Sequence, residues 1–161
     1  MTRAGIGYDV HPFEAGRPLI LGGVDIPHSK GLKGHSDADV LSHAIADAVL
    51  GAMGEPDIGH YFPPGDATIK GISSLKILEK CAQIAAARGF RIINVDASVI
   101  AEAPKVKPYA AAMKEKIAAA LGVSPGDIGI KATTNERLGF IGREEGIAAM
   151  AVASVAIPLS R

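Results

Sequence analysis

Ile93-Asn94-Val95-Asp96-Ala97-Ser98-Val99 alternates apolar and polar side chains without a break. Period-two alternation sends the two sets to opposite faces, so the segment reads as a strand with one buried face. The flanking segments keep a different period. Downstream, Pro108 to Leu121 places Met113, Ile117 and Leu121 on one stripe and stops at Gly122, which predicts a helix. Upstream, Leu75, Ile77, Leu78, Cys81, Ile84 and Ala85 predict a helix from about Ser73 to a stop at Gly89. Beyond Gly122, Ile128 to Ala132 reads as a second strand that delivers Thr133-Thr134-Asn135-Glu136 into a loop.

Ala4 to Val10 reads as a short first strand. Leu19–Leu21 and Val24–Ile26 flank Gly22-Gly23, the spacing of a tight hairpin whose turn needs positive φ. Pro27 to Gly34 reads as a polar loop. A helix follows, capped by Ser36 or Asp37 and bracketed at its end by Gly51 and Gly54; Val40, Leu41, Ala44, Ile45, Ala48, Val49 and Ala52 recur at helical spacing. Gly54 to Gly71 is a long loop, and loops of that length in a small domain are usually functional. Gly146 to Pro158 fits two readings: its alanines suit a helix, while Val152, Val155 and Ile157 suit a strand buried on both faces.

The 161 residues are 48% hydrophobic and 21% charged, a composition for one globular domain spanning 1–161. Lys plus Arg equal Asp plus Glu at 17 each, which argues against grip on nucleic acid by excess basic charge. With aromatic residues at 4% and no Trp, stacking platforms for single strands are scarce. A lone cysteine, Cys81, in an apolar run fits a reducing cytoplasm. The longest apolar stretch, Ile147 to Ile157, is shorter than the ~20 residues of a spanning helix, and residues 1–10 hold no apolar signal core, so the expectation is a cytoplasmic protein without a membrane partner.

Several polar residues do not belong to a scaffold. Asp9 and His11 leave the same face of the first strand, and His43 sits among apolar helical residues where an imidazole needs a partner. One carboxylate and two imidazoles fit a three-ligand zinc site with an open position, and equally a hydrogen-bonded cluster. Asp39 and Asp47, four residues to either side, are placed to orient the His43 ring, or simply to cap and solvate the helix. His35-Ser36 at a helix start suits a phosphate, as it suits a plain cap. Ala103-Pro104-Lys105-Val106-Lys107 and Lys131 to Glu136 both follow strands, where α/β scaffolds hold ligands. Their lysines and threonines suit phosphate, and Glu136 suits a divalent cation on a diphosphate.

Taken together, Gly7-Tyr8-Asp9-Val10-His11, Gly34-His35-Ser36-Asp37-Ala38-Asp39, His43 with Asp47, Asp57-Ile58-Gly59, Ala103-Pro104-Lys105, Lys131-Ala132-Thr133-Thr134 and Leu138-Gly139-Phe140-Ile141-Gly142-Arg143 closely resemble the 2-C-methyl-D-erythritol 2,4-cyclodiphosphate synthase family. The resemblance spans essentially the whole chain. It implies an α/β (α+β) fold, a mixed β-sheet with helices packed on one face, in a homotrimer whose sheets face the threefold axis and whose active sites lie between subunits. It also implies that the last segment is a strand.

The implied reaction converts 4-diphosphocytidyl-2-C-methyl-D-erythritol 2-phosphate into the cyclic diphosphate and CMP, a step of the non-mevalonate isoprenoid pathway. The resemblance implies zinc, one per subunit, on Asp9, His11 and His43, and magnesium or manganese on Glu136. His35 and Thr134 become the catalytic, transition-state-stabilising residues. Substrate contacts are implied for Asp9, His11, His35 and Ser36; for Asp57, Ile58, Gly59, Phe62, Pro63, Pro64, Gly65 and Asp66 at the erythritol end; and for Ala101, Glu102, Ala103, Pro104, Lys105, Val106 and Lys107 around the cytosine. Thr133, Thr134, Asn135, Glu136, Phe140 and Arg143 complete the implied set. Two positions depart from the family, which usually has Asp where Pro64 stands and Thr where Asn135 stands. A zinc phosphohydrolase and a non-enzymatic trimeric sensor are the competing readings.

Overall fold

The computed structural model describes residues 1–63, 65–67 and 70–157. Its frame is a five-stranded mixed sheet in the order β4-β1-β7-β5-β6, from Lys30–Leu32 (β4), Thr2–Ala15 (β1), Gly146–Ala156 (β7), Arg91–Ile100 (β5) and Ile128–Thr133 (β6). Only the β5/β6 pair is parallel; β7 runs antiparallel to β1 on one side and β5 on the other. The helix Ala110–Leu121 (α4) connects the parallel pair, since parallel neighbours need a crossover. Met113, Ile117 and Leu121 are its buried stripe, and Gly122 ends it in the left-handed conformation at φ 70°.

The helix Val40–Met53 (α1) lies across the sheet and buries twelve of its fourteen residues, as a helix apolar on every side must. Two glycines of β1 make room for it. A Cβ on Gly5 would stand 2.2 Å from the Ala48 carbonyl oxygen, and one on Gly7 1.9 Å from that of Ala44. Opposite, β7 turns Ile147, Ala149, Ala151, Ala153 and Val155 toward the helix, all buried. Alanine is therefore a spacing device here, and the segment that reads equally as helix or strand is the central strand, hydrogen-bonded on both edges but buried in the chain on its α1 face alone, with Met150 and Val152 exposed on the other. The helix Ser74–Ala87 (α3) packs beside α1 through Ile77, Leu78 and Cys81, with Ser73 as its N-cap. Burial, with Asp47 nearby, pushes the Cys81 thiol up to about 12, so it behaves as a core residue.

Leu19–Leu21 (β2) and Val24–Ile26 (β3) form the expected hairpin, with Gly22 and Gly23 at φ 56° and 73°. Several boundaries differ from the sequence expectation. Within Pro27 to Gly34, residues 30–32 pair with Phe13–Ala15. Ile93 is the extra residue of a bulge between Ile92 and Asn94, so Ile92 takes the inward place that strict alternation gives to Ile93. The cap of α1 is Asp39, neither Ser36 nor Asp37. Its carboxylate, wholly buried, accepts from the amides of Ser42, Gly22 and Gly23 and from the Ser42 hydroxyl at 2.7–3.1 Å. Gly51 lies inside α1, and Gly54 alone is its left-handed stop. The long loop contains a short helix, Ile58–Tyr61 (α2), capped by Asp57.

The sheet face opposite α1 carries an exposed apolar patch on β1 and β7, beside Asp96, Ser98 and Lys131 on β5 and β6. Ile6, Tyr8, Val10, Met150 and Val152 project from it, each more than a third exposed.

Candidate active site

Asp9 and His11 extend from the α1 side of β1, and His43 reaches them from the first turns of α1. One oxygen, Asp9 Oδ2, lies 2.9 Å from His11 Nε2 and 3.0 Å from His43 Nδ1. The two ring nitrogens are 3.3 Å apart. Two ligands of a tetrahedral zinc stand about 3.3 Å apart when the metal–ligand bonds are about 2.05 Å, so the three atoms have the mutual spacing of a metal tripod. Among the described residues, these three are the one group of His, Cys, Asp or Glu that converges in this way.

His11 Nδ1 donates to the Lys33 carbonyl at 2.7 Å, which leaves the Nε2 lone pair for the tripod. On the other ring, His43 Nε2 faces Ser74 Oγ at 2.8 Å and Ser36 Oγ at 3.2 Å. Burial opposes ionisation of Asp9, yet the His11 and His43 rings in contact with it hold its carboxyl well below the usual carboxylate range. Burial likewise disfavours charge on His11, and Asp9 outweighs it, raising the imidazole above its ordinary value. The donor set, two imidazole nitrogens and one carboxylate oxygen, suits a borderline divalent cation.

Neither Asp39 nor Asp47 touches the His43 ring. Asp39 is committed to the α1 cap, and Asp47 accepts from the Ile58 amide at 2.9 Å, tying α2 to α1. Of the two readings from spacing, the capping one holds for Asp39, and the ring-orienting one holds for neither carboxylate. Ser74, on a different helix and 31 residues away in sequence, supplies the contact instead.

A cavity of about 170 Å³ opens beside the tripod, lined by His11, His43, Gly34, His35, Ser36, Ile58, Gly59, Phe62, Ile72 and Ile77. Gly34, His35 and Ser36 also wall a neighbouring space of about 400 Å³ with Arg17, Gly65, Asp66 and Lys70. The segment between them is held on its backbone: Arg17 donates to the carbonyls of Gly34 and Ser36, at 2.8 Å each, and the Gly71 amide donates to that of His35 at 2.8 Å. His35 itself is exposed. Asp57 uses its carboxylate at the α2 cap, 3.3 Å from the His60 amide, and lines neither space. Pro64 lies outside the described residues.

The second set of expected residues gathers at the ends of β5 and β6. Ala101, Glu102, Pro104, Lys105, Val106, Lys107, Pro108, Ala132, Thr133 and Thr134 line a cavity of about 610 Å³. Glu102 builds its floor. Its Oε1 accepts from the amides of Asn135 and Arg137 at 2.9 and 3.1 Å, in a loop where Glu136 and Arg137 both adopt positive φ. Glu136 is exposed and its carboxylate accepts from Thr134 Oγ1 at 3.1 Å. One exposed carboxylate beside a ligand cavity suits magnesium, which keeps several waters and shares phosphate oxygens. Phe140 and Arg143 stand on Gly139–Gly142 (α5) and its C-cap and line neither cavity; Arg143 pairs with Glu145 at 2.7 Å.

The strand register places the two cavities at the same end of the sheet. Val10 is opposite Ala148, which is opposite Ile100, which is opposite Thr133. That is three interstrand steps, about 14 Å. Sequence reasoning missed Arg17, which sits in no motif, and Ser74 as a neighbour of His43, because each acts across long loops.

Residues 2–156 match the YgbB family. A curated relative from Akkermansia muciniphila, named 2-C-methyl-D-erythritol 2,4-cyclodiphosphate synthase, is 62% identical over 155 residues, covering 96% of this chain and 92% of the relative. Among solved structures, the bifunctional IspDF from Campylobacter jejuni aligns with a TM-score of 0.92 at 43% identity, over 96% of this chain and 42% of that longer one. A CDP complex of IspF from Plasmodium falciparum aligns with a TM-score of 0.85 at 33% identity, over 99% and 97% of the two chains.

Proposed function

The chain belongs to the YgbB family of 2-C-methyl-D-erythritol 2,4-cyclodiphosphate synthases, and from that premise we propose that its two cavities are complementary halves of one active site for this cyclisation. The enzyme converts 4-diphosphocytidyl-2-C-methyl-D-erythritol 2-phosphate into 2-C-methyl-D-erythritol 2,4-cyclodiphosphate and CMP. The reaction is a lyase step. An oxygen of the substrate's own 2-phosphate forms a bond to the phosphorus nearer the erythritol, the bond from that phosphorus to the CMP oxygen breaks, and CMP leaves with the electron pair. No water enters and no protein nucleophile is required.

The observation that carries the reading is the convergence of Asp9, His11 and His43 beside a cavity walled by His35 and Ser36. Zinc on that tripod and Mg2+ or Mn2+ on Glu136 would supply Lewis-acid neutralisation of phosphate oxygens. The remaining work falls to side chains. His35 and Thr134 donate hydrogen bonds to phosphate oxygens that gain charge as the leaving bond stretches, and Ser36 orients the attacking phosphate. Ala101 to Lys107 present a large, mostly apolar cavity to the nucleoside, as expected of a base-binding site. Ile58, Gly59 and Phe62 shape the wall that meets the erythritol and keep water from it. Positioning dominates, as it does across phosphoryl transfer.

Three further readings belong to the same proposal. The uncovered apolar face of β1 and β7 is an interface in a homotrimer, with sheets around the threefold axis and each site shared by two subunits. Residues 1–161 act as one synthase domain. The protein works in the cytoplasm, in keeping with a buried free thiol and with described helices too short to cross a membrane. Incubation with the diphosphocytidyl substrate and Mg2+, followed by mass detection, should yield CMP and the cyclic diphosphate in equal amounts. Absence of both would overturn the assignment.

A further inference from the structure

We propose that Asp37 and Ser74 form a hydrogen-bond relay that holds the His43 ring with its proton on Nε2 and its Nδ1 lone pair aimed at the tripod. Both are positioning residues, and the inference rests on the metal reading above while extending it to a third element of the fold. The direction of each bond follows from what each group can offer. Asp37 takes the Ser74 amide on Oδ2 at 2.9 Å and the Ser74 hydroxyl on Oδ1 at 2.5 Å. An ionised carboxylate only accepts, so the single hydroxyl proton of Ser74 is spent on Asp37. Ser74 Oγ then turns lone pairs to His43 Nε2, 2.8 Å away, and that nitrogen must donate. A metal-ligating imidazole is neutral and carries one proton, so with that proton on Nε2 the ligating atom is Nδ1, which faces Asp9 Oδ2 at 3.0 Å.

No solvent competes for these positions, because Ser74 is fully buried and His43 is 7% exposed. Ser36 Oγ stands farther from Nε2, at 3.2 Å, and accepts from the Ala38 amide. The backbone keeps the relay in register. Asp37 N donates to the Ile72 carbonyl at 3.0 Å, which fixes the start of α3 against the segment leading into α1. Metal affinity is thereby tied to the seating of α3, since the same Asp37 carboxylate holds its first amide and its first hydroxyl. Loss of such an outer partner typically weakens metal binding 10- to 100-fold.

The test is chelator competition for zinc combined with 15N-histidine NMR. In the wild type, with or without zinc, His43 should show a solvent-protected Nε2–H. Ser74→Ala keeps the residue 74 amide on Asp37 and so preserves the backbone anchor of α3. It should expose that proton to rapid exchange and weaken zinc binding about 10- to 100-fold, with Ser74→Thr restoring both. Should Ser74→Ala fail to fold, Asp37→Asn reads the same relay: its amide N–H turns the Ser74 hydroxyl proton toward His43, and the protected Nε2–H should vanish. A wild-type ring with a bare Nε2 overturns the relay, as does a folded Ser74→Ala protein with unchanged zinc affinity and proton protection. A wild type that takes up no zinc overturns the metal reading instead, and the Nε2–H in the metal-free protein still decides the relay.

Discussion

His11 Nε2 and His43 Nδ1 face each other at 3.3 Å across Asp9 Oδ2. Two imidazole lone pairs at that distance repel unless a proton or a cation lies between them, and the proposed zinc would meet that need.

Removing one ring should therefore remove the cation. His43→Ala leaves two ligands where three are needed, and the purified variant should contain far less than one zinc per chain by metal analysis. Retention of a full equivalent would show that the tripod is not the site.

In the proposed function Glu136 holds the second cation. Glu136→Gln should lower turnover and move the Mg2+ titration to higher concentration, with zinc content unchanged. An unaltered Mg2+ titration would exclude Glu136 from the diphosphate cation.

The Arg17 guanidinium spans the backbone on both sides of His35. Arg17→Met should lower kcat about 10- to 100-fold through misplacement of His35, with zinc content and the affinity for cytidine nucleotides intact. Unchanged kcat in a folded variant would show that the His35 segment holds its place without Arg17.

How far the sequence carries can be seen residue by residue. Met113, Ile117 and Leu121 define α4 because a solvent-facing helix must keep its apolar stripe in phase. Asp9 and His11 share a face because a strand allows nothing else. The Ala-rich β7 escaped periodicity, since a strand paired on both edges under a closely seated helix needs small residues and no alternation. The start of α1 escaped it for another reason. Ser36, Asp37 and Asp39 are all competent caps, and only the folded chain shows Asp37 drawn to Ser74, Ser36 to His43, and Asp39 left to α1. Contacts across distant segments, such as Ser74 with His43, leave no local signature.

The proposed sharing of each site between two subunits has its own consequence. His43→Ala and Thr134→Ala damage different halves, so each homotrimer should be nearly inactive. Co-refolded at equal amounts, mixed trimers should recover about one quarter of wild-type activity, the fraction of interfaces intact on both sides under random assembly. No recovery in trimers shown to be mixed would place the whole site within one chain.

The central claim is intramolecular cyclisation, and the oxygen atoms of the products report it directly. Run in 18O-labelled water with the diphosphocytidyl substrate, the reaction should give CMP and cyclic diphosphate that are both free of label, because the attacking oxygen comes from the substrate's own phosphate. One 18O atom in either product would mean that water attacks phosphorus, and would make the protein a zinc phosphohydrolase.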